Sequence, residues 1–162
     1  VIERSIGLNE ISELPKFDFL LHLNVLHHAG HDYDSDILSV CDNFPLYAIR
    51  YLNKLHDRAQ KMLFQMGSNW GGDKRQPLVA ANNDLAKLVL FFDWLSTAGW
   101  KTQHMAYPYL DENRRVHYEN LSGDVHLAAD LKDNSSLQLQ LDRFNLDRFP
   151  GEFQRRPLFS CE

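Results

Sequence analysis

The sequence predicts an α+β domain, and three features carry that expectation. Up to about residue 100 the apolar residues recur at three- and four-residue spacing. Beyond it they alternate with polar ones, and Gly-, Asn- and Asp-rich pieces punctuate both parts. One apolar face per strand describes an antiparallel meander of three to four strands covered on one side. An N-terminal layer of about three helices is its natural cover. The 162 residues fit a single domain, 1–162, with a mainly helical part (1–100), antiparallel strands (101–145) and a C-terminal tail (146–162).

The first expected helix covers residues 15–29. Pro15 suits a first helical position, Gly30 suits an end, and Phe17, Leu20, Leu21, Leu23, Val25 and Leu26 form a broad apolar stripe between them. A second helix opens at Asn43 or Phe44, with Pro45 near its start. It carries Ile49, Leu52, Leu55, Ala59, Met62, Leu63 and Met66 to a stop at Gly67. Residues 67–76, GSNWGGDKRQ, have no periodicity and read as a loop. The third helix runs from Pro77 to Ala98 and ends at Gly99. Three strands follow, around Val116–Asn120, Val125–Leu131 and Leu137–Asp142, with turns at Asp111-Glu-Asn, Ser122-Gly-Asp and Lys132-Asp-Asn-Ser-Ser.

Composition narrows the function classes. A hydrophobic content of 44% argues against disorder, and a net charge of −5 gives no global reason to seek nucleic acid or an anionic membrane. Two cysteines outside any CxxC pair favour a reducing compartment. Neither a run of ~20 apolar residues nor a basic-then-apolar leader is visible, so the expected location is cytoplasmic.

Residues 26–36, LHHAGHDYDSD, are the densest cluster of chemistry-bearing side chains. His27, His31, Asp32 and Asp34 form a candidate site for a divalent metal, the one cofactor the sequence suggests. Asp32, Asp34 and Asp36 alternate like the start of a calcium loop. Ile37 and Asn43 occupy its sixth and twelfth positions, which excludes an EF-hand. In the competing reading His27 and His28 complement the end of a helix dipole, and the aspartates form a solvated loop that caps the next helix.

Val25-Leu-His-His-Ala-Gly-His is similar to the Leu-x-His-Asp-x-Gly-His turn of HD-type metal phosphohydrolases, and Leu55-His56-Asp57 resembles their HD pair. That resemblance covers a handful of residues and departs from the pattern at His28, which stands where the Asp belongs. It implies a helical enzyme holding divalent metals through His22 or His27, His56, Asp57, and Asp84 or Asp93. Asn113-Arg-Arg-Val followed by Glu119-Asn-Leu-Ser-Gly-Asp resembles the cyclic-di-GMP-binding PilZ signature, with Val125 where that signature has glycine. It implies that Arg114 and Arg115 clamp phosphate and guanine.

No complete catalytic constellation appears. The leading expectation is therefore a small intracellular interaction or accessory protein that binds another macromolecule, with another protein as the expected partner, in the manner of inhibitors, immunity proteins, antitoxins or accessory factors of mobile elements. Trp70, in the glycine-rich loop, is its candidate anchor. The alternative is a metal-dependent hydrolase built on His27, His28, His31 and Asp32. The third is a nucleic-acid or nucleotide binder using Arg114 and Arg115, or Arg155 and Arg156 among the Phe residues of the tail.

Overall fold

Among the described residues five strands form one mixed sheet: β1 (Phe17–Leu23), β2 (Ala59–Gln65), β3 (Thr102–Leu110), β4 (Val116–Asn120) and β5 (Leu158–Cys161), in the order β1-β2-β5-β3-β4. Among the described residues three α-helices accompany them: α1 (Phe44–His56), α2 (Asp84–Thr97) and α3 (Ser135–Asp142). This computed structural model describes residues 5–79, 83–121, 135–144, 146, 149 and 151–162. The expected strand at 125–131 lies outside them.

The α+β class holds; the purely antiparallel three- to four-stranded meander does not. β1 and β2 run parallel, joined through α1, with Leu21 opposite Leu63. β5 lies antiparallel to both β2 and β3, with Phe159 between Phe64 and Met105. Among the described residues only the β3–β4 hairpin is a sequence-local antiparallel pair. Its turn has Arg114 at φ 60° and is closed by the Arg115 N–H on Asp111 Oδ1 at 2.8 Å.

Three expected elements change type, and the tail contributes a strand. The apolar stripe at 15–29 is largely β1: Phe17-Asp-Phe-Leu-Leu-His-Leu carries apolar residues to both faces, and its backbone groups pair with β2 rather than with themselves. The second helix ends at His56, and Ala59–Gln65 becomes β2, whose backbone groups pair with β1 on one side and β5 on the other. Leu137–Asp142 is α3, in which Leu137 and Leu141 are buried one turn apart while Leu139 is exposed. The tail supplies β5 to the middle of the sheet.

Local signals placed the ends of the other helices. Pro45 sits at the start of α1. The Asn83 side chain accepts the Ala86 N–H at 2.9 Å and begins α2, and Gly99 at φ 97° ends it. Pro77–Val79 precede that helix instead of opening it.

α1 and α2 pack on one face of the sheet. There Phe64 stands edge-on to Phe91 of α2, Phe91 meets Phe159, and His22 lies between Phe64 and Tyr51 of α1. Burying each Phe of this inner face stabilises the fold by about 1.5–3 kcal/mol. The outer face at β1 differs: Phe19 is 54% exposed and Leu21 62%, with Leu23 also in solvent. Among the described residues no helix is long and apolar enough to cross a membrane.

Candidate functional site at the carboxyl ends of the parallel strands

β1 and β2 end side by side, and the loops that leave them interlock. In open sheets with parallel strands, this is where ligands bind. β1 stops at Asn24, which adopts the left-handed φ of 59° that Asn tolerates better than most residues. Its N–H donates to the Gln65 carbonyl at 2.7 Å, and its side-chain amide donates to Gln65 Oε1 at 2.9 Å. Arg156 Nη1 donates to Asn24 Oδ1 at 2.6 Å, and its guanidinium lies 4.6 Å from the centre of the Phe153 ring. Gln65 Nε2 completes the network through the Tyr118 hydroxyl at 2.7 Å. Four separate elements thus meet at one strand end.

The histidines take up the rest of the junction. Leu26–His28 form a 3-10 turn instead of the last turn of an α-helix. Buried His27 accepts the Gly67 N–H on Nδ1 at 3.2 Å. His31 lies edge-on to Trp70 with ring centres 4.5 Å apart. Trp70 is buried rather than exposed, and its indole N–H donates to the Ala29 carbonyl at 2.6 Å. Glycine is required on each side of this contact. A Cβ on Gly67 would sit 2.8 Å from His27 Nε2 and 2.9 Å from Arg156 Nη2. One on Gly30, at φ 87°, would sit 2.6 Å from the Leu38 carbonyl and 2.7 Å from Trp70. One on Gly71 would overlap the His31 ring.

The candidate metal residues are therefore distributed rather than convergent. Asp34 turns away from the histidines and accepts the Leu8 N–H and the Tyr47 hydroxyl, both at 2.6 Å. Burial raises the phenol pKa values of Tyr33, Tyr47 and Tyr51 around it, which keeps those hydroxyls protonated as donors. Asp32 faces His28, with Oδ2 3.1 Å from Nδ1. Among the described residues no three His, Cys, Asp or Glu side chains are grouped to hold a metal ion.

The remaining candidates separate as well. His56 is edge-on to Trp100, and the Asp57 carbonyl accepts Lys16 Nζ, at the opposite ends of the strands from His27. His22 is sealed in the core, where desolvation lowers its pKa to about 4. Asp84, the distal residue implied by the HD resemblance, is buried and accepts Lys87 Nζ at 3.0 Å, the Tyr107 hydroxyl at 2.6 Å and Arg155 Nη2. Arg155 and Arg156 are buried anchors of the tail, not a solvent-facing basic strip. Arg114 and Arg115 are exposed on the β3–β4 turn. There the Arg115 N–H and the nearby His117 hold the Asp111 carboxyl below its usual range.

Asn24, Gln65 and the buried role of Arg156 carried no recognisable motif. The signal available was an Asn directly after an apolar run, which acquires meaning only once that run is a strand. No protein-family model, no curated protein and no solved structure matches the chain.

Proposed function

We propose that the chain is an interaction module whose β1 edge and outer face receive a protein partner, and that the junction at the β1 carboxyl end forms one wall of a small-ligand crevice. The carrying observation is the exposure of Phe19 and Leu21 on a parallel edge strand. Parallel strands are normally covered on both faces, so an edge strand with apolar side chains outward calls for both a neighbouring strand and a covering layer. Open sheets take ligands at the carboxyl ends of adjacent parallel strands, and β1 brings Asn24, His28 and the Arg156 network to that place. An intracellular setting accords with two free thiols, Cys41 and Cys161.

Photo-crosslinking tests the partner. A benzophenone is attached through Leu21→Cys in a Cys41→Ser background, with Asp93→Cys on the exposed side of α2 as control. A single stoichiometric adduct from position 21 in native extract, absent from position 93, supports the reading. Equal, scattered labelling from both positions overturns it. A thermal-shift screen against small polar metabolites and nucleotides tests the crevice, with Asn24→Ala expected to abolish any stabilisation found.

A further inference from the structure

β1 lies at the end of the described sheet, and its polarity pattern reads the same in both directions. Phe17-Asp18-Phe19-Leu20-Leu21-His22-Leu23 runs apolar, polar, three apolar, polar, apolar, with Leu20 at the centre. A two-fold axis through Leu20 therefore pairs the whole strand with an antiparallel copy of itself. On the outer face Phe19 then stands opposite the partner's Leu21, and Phe17 opposite the partner's Leu23. On the inner face Leu20 meets its own copy, and Asp18 stands opposite the partner's His22. His22 is buried, and its Nε2 has no hydrogen-bond partner among the described residues. Asp18 is the one carboxylate in the strand, and this register keeps the two copies of it about 13 Å apart, so no like charges face each other. β4, at the other end of the described sheet, has five residues, of which only Val116 and Tyr118 are large and apolar. The Tyr118 hydroxyl is already committed there, donating to the Arg156 carbonyl at 3.2 Å.

We propose that the partner of β1 is a second copy of this chain, joined through an antiparallel β1–β1 pair about Leu20 into one continuous sheet. This rests on the β1-edge reading above and names its occupant. Self-pairing supplies the missing neighbouring strand and sets Phe19 and Leu21 of each protomer against the other's. One strand pair with its flanking side chains is a small interface, of the class below ~1,200 Å² that gives reversible association. Protomers diluted for an unfolding measurement are separate.

Sedimentation equilibrium of the full chain should show the mean mass rising from one copy toward two between about 1 and 100 μM. Leu21→Lys should raise the dissociation constant at least about tenfold with an unchanged circular-dichroism spectrum. Disulfide trapping in a Cys41→Ser background reads the register, because opposed residues of an antiparallel pair stand at disulfide distance. Leu20→Cys should link to itself. Phe19→Cys mixed with Leu21→Cys should link at least about tenfold faster than either alone, a readout that leaves Leu20 in place. A chain that stays at one copy throughout overturns the proposal. So does a dimer indifferent to Leu21→Lys, or one in which Phe19→Cys alone links as fast as the mixture. A chain of one copy whose position 21 photo-labels a single foreign protein overturns self-pairing and leaves the edge-binding reading standing. A chain of one copy with no specific adduct removes both.

Discussion

Phe64 and Phe19 sit on adjacent parallel strands, and the sheet uses them in opposite ways. Phe64 is fully buried against Phe91 and Phe159, with α1 and α2 above it. Phe19 projects to the other face and is more than half exposed. Hydrophobicity is equal at the two positions, so the difference lies in which face the chain covers. A folded domain stabilises itself through the first face. The second leaves apolar side chains in solvent.

The sharpest way to break this comparison is a matched pair of truncations. Phe64→Ala should destabilise by about 3–5 kcal/mol, through lost transfer energy and the cavity left behind. Phe19→Ala should change stability by less than about 1 kcal/mol. Urea unfolding measures both, and similar losses would mean that the outer face is covered.

Gly30→Ala comes next. It combines a positive φ with a close approach to the Leu38 carbonyl, and about 3 kcal/mol should be lost. A drop in Tm without loss of the sheet's circular-dichroism signal would locate the damage in the interlocked loops.

The inner face also predicts an acid limit of similar size. Buried His22 is neutral in the fold and takes a proton only near pH 4, while its unfolded counterpart does so at 6.5. Between those values the unfolded chain binds more protons, so this contribution is complete above pH 6.5 and is lost as pH falls toward 4. The loss amounts to roughly 3 kcal/mol by linkage. His22→Leu should flatten the stability profile across that window; an unchanged slope would assign the acid sensitivity elsewhere.

The smallest expected effect sharpens the outer side. Leu21→Lys should leave stability within about 0.5 kcal/mol of the parent and reduce light scattering in concentrated solution. A large loss of stability there would remove the reason to seek a partner for β1.

The histidine-rich stretch shows how much of the site the sequence carries. Its composition marks a place where backbone and rings crowd together, and that much is legible. The use is not. His27 points at Gly67 and His31 at Trp70 only because β1 and β2 run parallel and release their loops side by side. Read as a helix end, the same residues project in directions the fold never takes. Arg156 shows the same limit: among tail residues it resembles a solvent cation, yet β5 draws it into the strand-end network.

By itself the sequence determined the features made between near neighbours. These are the α+β class, the Asp111–Arg115 turn, the start of α1 at Pro45 and the end of α2 at Gly99. The turn and the two helix ends depend on a φ preference or a capping contact within a few residues, so that information is local. Tertiary structure decided that Phe17–Leu23, Ala59–Gln65 and Leu158–Cys161 are strands, that β5 divides β2 from β3, and which apolar face was left open. A strand satisfies its backbone groups only on a partner, and here those partners come from the far ends of the chain. Met62 beside Cys161 is a pairing that no window of local sequence contains.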